Sequence, residues 1–203
     1  FDVFWPRQQA REWHRGERMI DLASSTAVIV GVGGSGAEAA RLCQAFGMHT
    51  IGDDPRTTAC PHLDELVGSD QLDDVLPRAD FVLITAPEAP STIGMFHRGR
   101  FERMKPTAYV CNIARGRLVV TDDLVAALQE GLIAGAGLDV VDPEPLPADH
   151  PLWTMPGVLL TPHVAIAGAP GWYERRTAIM VDNAKRFAAG EPLVNLVDKT
   201  NWF

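Results

Sequence analysis

The stretch AVIVGVGGSGAEAARLCQAFGMHTIGDD, residues 27–54 of 203, decides the fold of this chain. It opens with a short run of branched apolar residues and continues into a glycine-rich loop of the pattern G-x-G-x-x-G at 31–36. Apolar residues then recur at helical spacing, and a second apolar run ends in an acid 18 residues beyond Gly36. This order predicts a strand, a tight turn, a helix and a second strand, which form the first unit of a parallel sheet.

The glycines of this loop each have a physical reason to be there. Gly31 allows the tight turn, Gly33 lets the backbone approach a phosphate, and Gly36 permits close packing of the helix against the strand. The N-terminus of the helix offers unpaired N–H groups and a positive dipole, for which a phosphate is a natural ligand. The loop therefore predicts a Rossmann domain that binds a nicotinamide dinucleotide, and we expect Gly34 and Ser35 to contact it as well.

An acid at the end of the second strand is expected to hydrogen-bond the hydroxyls of the adenosine ribose. A carboxylate there favours NAD over NADP, because it would repel the 2′-phosphate of NADP, and Arg56 weakens this preference only slightly. Two adjacent acids, Asp53 and Asp54, compete for the role. Alternation along the strand does not choose between them.

Other apolar runs of the chain have the character of strands. Most are nearly continuous in hydrophobicity, as is typical of parallel strands covered on both faces. The six predicted strands are AVIV at 27–30, HTIG at 49–52, FVLI at 81–84, AYVCNI at 108–113, IAGAGLDV at 133–140 and GVLLTP at 157–162.

Helical patterns lie between these runs. After the glycine loop, Ala39, Leu42, Cys43 and Phe46 fall on one face of a helix that should end near Gly47. The alternation of strands and helices predicts an α/β fold, a doubly wound parallel sheet with helices on both faces.

Two later helices are also predicted. Thr121 can cap the first of them, with Asp122 and Asp123 in its positive first turn and Gly131 as its stop. The second runs from about 171 to 189 and is followed by an extended tail.

Composition limits the possible functions. The chain has 18 basic and 26 acidic residues, and its net charge of −8 argues against nucleic acid as a partner. No apolar stretch reaches the roughly 18 residues of a membrane span, so no membrane association is expected. Three cysteines, Cys43, Cys60 and Cys111, lack CxxC spacing and favour a reduced, cytoplasmic setting without a metal site.

A family resemblance becomes specific in the second half of the chain. From Arg103 the sequence reads RMKPTAYVCNIARGRLVVTDDLVAALQEGLIAGAGLDVVDPEPLPADHPLWTMPGVLLTPHVA and strongly resembles the D-2-hydroxyacid dehydrogenase family. Upstream, VIVGVGGSGAEAARLCQAFGMHTIGDDPR resembles the dinucleotide loop of that family, and the aligned ribose acid is Asp54, directly before Pro55. The resemblance implies an NAD-dependent oxidoreductase that transfers a hydride between nicotinamide and a 2-oxo acid or D-2-hydroxy acid.

The resemblance implies three catalytic residues: Arg115 in NIARG, Glu144 in LDVVDPEP and His163 in TPHVA. The guanidinium of Arg115 can bind the substrate carboxylate and carbonyl oxygen through paired donors. His163 can exchange a proton with the carbonyl oxygen as hydride is transferred, since imidazoles ordinarily titrate near pH ~6.5. Glu144 would orient the imidazole and favour its charged form. All three follow predicted strand ends, where open α/β sheets bind ligands.

The resemblance also implies cofactor contacts in the loops that follow the strands. Asp139 resembles the family residue that contacts the nicotinamide carboxamide. The other residues implied as cofactor contacts are Thr85, Ala86, Pro87, Thr92, Ile113, Ala114, Arg115, His163 and Ala165. His150, by contrast, is expected to be a packing or surface residue.

Members of this family are longer, and their substrate domain is built mostly from the N-terminal third of the protein. We therefore expect 1–20 to be an interdomain helix and linker, 21–168 to be the NAD-binding domain, and 169–203 to return to a substrate domain whose first part is absent here. Family members are usually dimers, so a homodimer is expected.

Two other functions deserve comparison with the dehydrogenase hypothesis. The family also contains transcriptional corepressors of the same fold, so the alternative is an NAD-sensing interaction protein. The formate dehydrogenase branch is disfavoured, because the partner of its histidine is a glutamine where this chain has Glu144.

Overall fold

The computed structural model describes residues 4–16 and 19–197. The chain divides into two compact units, Phe1–His163 and Val164–Phe203. The first unit contains the whole sheet, and the second contains the last helix. The division lies ahead of the boundary expected at residue 168.

The first unit is built on a parallel sheet of seven strands in the order β3-β2-β1-β4-β5-β6-β7. The strands are β1 Thr26–Val30, β2 His49–Asp53, β3 Glu65–Val67, β4 Phe81–Ile84, β5 Tyr109–Asn112, β6 Gly135–Leu138 and β7 Val158–Leu160. All six predicted strands are present, which confirms the doubly wound parallel sheet. The sequence did not reveal β3, because this half-buried edge strand has only three residues.

Helices connect and flank the strands. They are α1 Phe4–Ala10, α2 Gly34–Ala45, α3 Leu72–Val75, α4 Arg98–Phe101, α5 Thr121–Gln129 and α6 Trp172–Ala189. None of the described helices is long and apolar enough to cross a membrane. Strand order reverses between β1 and β4, so the loops after these strands open a crevice at the carboxyl edge of the sheet.

The core lies on both faces of the sheet. On β1, Val28 and Val30 belong to a large cluster that includes Phe101, whereas Ala27 and Ile29 belong to a smaller one. Successive side chains of a strand point to opposite faces, so β1 is buried on both. This burial explains why its sequence is continuously apolar rather than alternating.

The buried face of α2 differs from the predicted one. Leu42 and Phe46 are exposed, while Gly36 and Ala40 are buried and Cys43 packs against the smaller cluster. The reason is the close approach of the helix to the sheet, since a Cβ atom at Gly36 would lie 2.0 Å from the carbonyl oxygen of Gly31. Small residues therefore define the face that meets the sheet.

The predicted cap of α5 is also wrong. Val120 is the N-cap, and Thr121 is the first helical residue, whose hydroxyl donates to the carbonyl oxygen of Asp142 at 2.7 Å. Asp122 and Asp123 do lie in the first turn, as expected. The threonine thus ties the helix to the loop after β6 instead of capping its own helix.

Gly36→Ala is expected to lower the free energy of unfolding by roughly 1–3 kcal/mol, because the added methyl group would overlap the Gly31 carbonyl oxygen. Gly34→Ala is the matched control, since a Cβ atom there meets nothing within 4 Å among the described residues. The control should change stability by no more than about 1 kcal/mol. Urea denaturation of both variants measures the difference, and equal effects would contradict the argument.

Candidate functional site

The glycine loop is secured to the end of β4. Gly31 has a φ of +92°, and a Cβ atom on it would lie 2.5 Å from the Cα of Ala86. The hydroxyl of Thr85 donates to the carbonyl oxygen of Gly31 at 2.6 Å. Only glycine fits at this position, because both the positive φ and the neighbouring backbone exclude a side chain.

The other side of the loop is open. A Cβ atom on Gly33 would meet nothing within 4 Å in the described part of the chain. Gly33 is also the N-cap of α2 and provides no capping side chain, so the backbone itself presents the donors of the first turn. These features fit a pyrophosphate group, whose charge would be stabilised by the N–H groups and the dipole of α2.

Asp54 lies directly after β2 and is bonded to this loop. One carboxylate oxygen accepts from the backbone N–H of Val32 at 2.8 Å, and the other accepts from Arg56 and Thr57 at 2.9 and 2.8 Å. Burial alone would raise the pKa of Asp54, but the hydrogen bonds from Thr57, Arg56 and Val32 outweigh it and lower the pKa. The acid is therefore ionised at neutral pH and lies beside the glycine loop.

Asp53 has a different environment. Its side chain is only 2% exposed, and one carboxyl oxygen has no hydrogen-bond partner among the described residues. Burial raises the pKa of Asp53 to about 6; Asp54 and Asp70 also raise it, whereas Arg100 opposes the shift. Of the two competing acids, Asp54 is the one that bonds to the loop.

His163 and Glu144 form a pair after β7 and β6. The Nδ1 atom of His163 lies 2.9 Å from a carboxylate oxygen of Glu144, whose other oxygen accepts from the N–H of Val141 at 3.0 Å. Because a carboxylate only accepts hydrogen bonds, Nδ1 carries a proton and Nε2 is the atom left for chemistry. The hydrogen bond from His163 is the main reason that the pKa of Glu144 is lowered, and the charge of Arg115 contributes.

The backbone holds His163 in an uncommon conformation. Its φ is +53°, and its N–H donates to the carbonyl oxygen of Asp139 at 2.8 Å. Histidine tolerates this region better than most residues with a side chain. The conformation directs the imidazole towards Glu144 while its backbone stays bonded to the end of β6.

Arg115 follows β5 in a loop that a neighbouring side chain organises. Asn112 is fully buried; its amide nitrogen donates to the carbonyl oxygen of Arg115 at 2.9 Å, and its oxygen accepts from the N–H of Ala114 at 3.0 Å. The guanidinium of Arg115 donates to the carbonyl oxygen of Ala114 at 2.6 Å. Sequence reasoning missed Asn112, although a lone amide within the apolar run AYVCNI was the available signal.

Thr161 is a second residue that sequence reasoning missed. Its hydroxyl donates to a carboxylate oxygen of Asp139 at 2.6 Å, and Asp139 is only 7% exposed. Both residues border a cavity of about 440 Å³ that also contains the histidine–glutamate pair. The cavity is lined by Asp139, Val141, Glu144, Pro145, Leu146, Trp153, Leu160, Thr161, Pro162 and His163.

The remaining expected contacts lie in three places. Thr92 closes the loop after β4, because its hydroxyl donates to the carbonyl oxygen of Pro87 at 2.7 Å. Ile113 is half exposed beside the buried Ala114, whereas Ala165 belongs to the second compact unit. 

The hydrogen bond that His150 makes lies in the proline-rich loop. Its Nδ1 atom accepts from the N–H of Leu152 at 3.3 Å, at the start of the short 3₁₀ turn Pro151–Trp153. Its role there is local, since it caps the turn in the proline-rich loop.

Comparison with known proteins agrees with this geometry. Residues 2–165 match the family model described as D-isomer specific 2-hydroxyacid dehydrogenase, NAD binding domain. Among curated relatives, a glyoxylate reductase of Thermococcus onnurineus is 37% identical over 181 residues, which cover 88% of this chain and 53% of that enzyme. The chain spans about half the length of the curated relatives it matches.

Solved structures give the same result. One similar structure is an NADPH-dependent glyoxylate/hydroxypyruvate reductase from Sinorhizobium meliloti in complex with NADP and sulfate. It superposes with a TM-score of 0.89 at 29% sequence identity, and the match covers 100% of this chain and 64% of the reductase chain. A D-isomer specific 2-hydroxyacid dehydrogenase from Xanthobacter autotrophicus Py2, in complex with NADPH and MES, has a TM-score of 0.87 at 33% identity, with coverages of 97% and 80%.

Asp53→Asn is expected to stabilise the protein, because burial opposes ionisation of this carboxyl group. The pKa of Asp53 is about 6 in the folded protein, against an ordinary value of 3.8. The protonated carboxyl group therefore contributes stability at acid pH, and this contribution is lost as the pH rises through the folded-state pKa. The variant should therefore exceed wild type by roughly 2 kcal/mol near neutral pH, and the difference should shrink towards pH ~4. Urea denaturation at several pH values measures it.

Asp54→Asn is the matched control of opposite sign. The lowered pKa of Asp54 means that its stabilising contribution is present above the ordinary pKa and is lost as pH falls through the folded one. This variant should be less stable than wild type at neutral pH and should approach it in acid. A stabilising effect of both substitutions at neutral pH would contradict the contrast between the two acids.

Proposed function

Because the chain belongs to the D-isomer specific 2-hydroxyacid dehydrogenase family through its NAD-binding domain, we propose that the whole protein is an NAD-dependent oxidoreductase. It transfers a hydride between nicotinamide and a 2-oxo acid or D-2-hydroxy acid. The observation that carries this proposal is the 2.9 Å contact of His163 with Glu144, at the sheet edge where the glycine loop and Arg115 also lie. Relatives named glyoxylate and hydroxypyruvate reductases support small 2-oxo acids as substrates.

The proposed cofactor site follows the carboxyl edge of the sheet. The open backbone at Gly33 and the N-terminus of α2 bind the pyrophosphate, together with Gly34 and Ser35. Asp54 accepts from the ribose hydroxyls, and Asp139 accepts from the nicotinamide carboxamide. The other proposed contacts are Gly31, Gly36, Thr85, Ala86, Pro87, Thr92, Ile113, Ala114, Arg115, His163 and Ala165. When bound, NAD supplies or accepts the hydride.

Three side chains perform the rest of the proposed reaction. Arg115 binds the substrate carboxylate and polarises the carbonyl through its planar set of donors. His163 gives a proton from Nε2 to the carbonyl oxygen during reduction and removes it during oxidation. Glu144 holds Nδ1 in its protonated form and stabilises the imidazolium, which keeps Nε2 directed at the substrate.

NAD is proposed as the preferred cofactor over NADP. The ionised carboxylate of Asp54 would repel a 2′-phosphate, and the hydrogen bonds that lower its pKa hold it beside the glycine loop. Arg56 follows in the same turn, and its backbone N–H is one of the donors that hold Asp54 there. The two similar solved structures contain NADP and NADPH, which describes the cofactors of those proteins and not of this chain.

We also propose a cellular location, an oligomeric state and a division of the chain into segments. A cytoplasmic setting agrees with the free thiols of Cys43, Cys60 and Cys111. A homodimer and the division into 1–20, 21–168 and 169–203 rest on the family resemblance.

His163→Ala in the whole protein should lower the rate of 2-oxo acid reduction by about 10²–10⁴-fold, because the proton donor is removed. His150→Ala is the matched control, since His150 only caps a 3₁₀ turn, and its activity should stay within a few-fold of wild type. Steady-state kinetics on glyoxylate, hydroxypyruvate, pyruvate and phenylpyruvate measure both. Wild-type turnover by His163→Ala would refute the assignment.

The protein should bind NADH at least about tenfold more tightly than NADPH, because Asp54 meets the 2′-phosphate of NADPH. Fluorescence titration with each dinucleotide measures the two dissociation constants. Tighter binding of NADPH would overturn the role given to Asp54 without affecting that of His163.

A further inference from the structure

The turn that carries Glu144 follows β6 and orients the carboxylate through its own backbone. The N–H of Val141 donates to one carboxylate oxygen of Glu144 at 3.0 Å, and the other oxygen lies 2.9 Å from Nδ1 of His163. Because the side chain of Glu144 is exposed, these hydrogen bonds rather than burial orient it. The direction of the carboxylate therefore depends on where the backbone at Val141 lies.

Two neighbouring elements fix the backbone of this turn. The hydroxyl of Thr121, the first residue of α5, donates to the carbonyl oxygen of Asp142 at 2.7 Å. Gly116, in the loop after β5, lies so close to the turn that a Cβ atom on it would be 1.9 Å from the carbonyl oxygen of Val141. The second contact is made by backbone alone, whereas the first depends on a side chain. Thr121 thus anchors the turn from outside it.

We propose that Thr121 is a positioning residue for the proposed proton donor, acting on Glu144 through the backbone of the turn. The inference rests on the proposed function, in which Glu144 orients His163 and stabilises its charged form. While the hydroxyl of Thr121 anchors the turn, the N–H that holds the carboxylate stays in place. A site of this kind depends on such supporting hydrogen bonds, because small displacements of an orienting group weaken its effect.

Arg115 has a separate anchor, which makes the role of Thr121 distinguishable. The side-chain amide of Asn112 bonds to the backbone of both Ala114 and Arg115, so this loop keeps its own support when Thr121 is changed. Loss of the Thr121 hydroxyl should therefore affect proton transfer more than substrate binding. The expected signature is a lower kcat with a KM close to that of wild type.

Three variants of the whole protein test this role by steady-state kinetics. Thr121→Val keeps the shape of the side chain and deletes the hydroxyl, whereas Thr121→Ser keeps the hydroxyl. Thr154→Val is the matched control, because that hydroxyl bonds to the carbonyl oxygen of Pro151 in an exposed turn. Thr121→Val should lower kcat for glyoxylate reduction about fivefold and change KM and NADH affinity less than about twofold. The other two variants should behave like wild type.

The pH profile of kcat separates positioning from a loss of stability. Reduction needs a protonated imidazole, so kcat falls as the pH rises and His163 loses its proton. A carboxylate that is less well placed favours the charged imidazole less, so in Thr121→Val this fall should begin roughly 0.3–0.5 pH unit lower. In a Glu144→Gln background, Thr121→Val should have no further effect on kcat, since the residue through which it acts has been changed.

Carboxyl NMR measures the same effect without catalysis. The hydrogen bond from His163 is the main reason that the pKa of Glu144 is lowered. The protein is isotope-labelled at the side-chain carboxyl carbon of glutamate, and Glu144→Gln assigns the signal. In Thr121→Val the pKa of Glu144 should rise towards its ordinary value, whereas Thr121→Ser should keep the wild-type pKa.

Several results would overturn the inference. In Thr121→Val, either an unchanged pH profile or an unchanged pKa of Glu144 would show a structural role only, and so would changes that Thr121→Ser does not reverse. Thr121→Ala is the second variant if Thr121→Val fails to fold, and the same changes are required of it. A wild-type protein that is inactive on 2-oxo acids refutes the proposed function, and the carboxyl titration then decides by itself whether Thr121 positions Glu144.

Discussion

The close approach of α2 to the glycine loop is the contact on which the remainder of the site depends. A Cβ atom at Gly36 would lie 2.0 Å from the carbonyl oxygen of Gly31, so the helix can meet the sheet there only through glycine. The same carbonyl oxygen accepts from the hydroxyl of Thr85 on the neighbouring strand end. Asp54 holds the next residue of the loop through Val32. Bonds from both flanking strands thus fix the first turn of α2 at the carboxyl edge.

Parallel strands bring the proposed catalytic residues to that same edge. The loops after β5, β6 and β7 carry Arg115, Glu144 and His163, which are far apart in sequence. Because every strand of the sheet runs in the same direction, all of these loops emerge on one side. Each of these proposed catalytic side chains stands on a loop, and hydrogen bonds from polar side chains such as the buried Asn112 and the exposed Thr161 fix those loops.

The carboxyl groups at this edge have different pKa values because their hydrogen-bond partners and their burial differ. Backbone N–H groups lower the pKa of Asp54, and the imidazole of His163 lowers that of Glu144. Asp53, next to Asp54 in the chain, is buried with one oxygen unpaired among the described residues, and its pKa rises to about 6. The pKa values of these adjacent acids therefore shift in opposite directions, because hydrogen bonding outweighs burial for one and not for the other.

The sequence by itself determined the fold class, six of the seven strands and the position of the glycine loop, since these depend on local periodicity and turn geometry. The proposed catalytic residues Arg115, Glu144 and His163 came from the resemblance to the dehydrogenase family. Local patterning did not determine which face of α2 is buried or which of two adjacent acids meets the loop, and for the acids only the family resemblance pointed to Asp54. Sequence reasoning also missed the organising roles of Asn112 and Thr161. Those features depend on hydrogen bonds and contacts between separate strand ends, which exist only once strand order and register are set, and only the tertiary structure decided them.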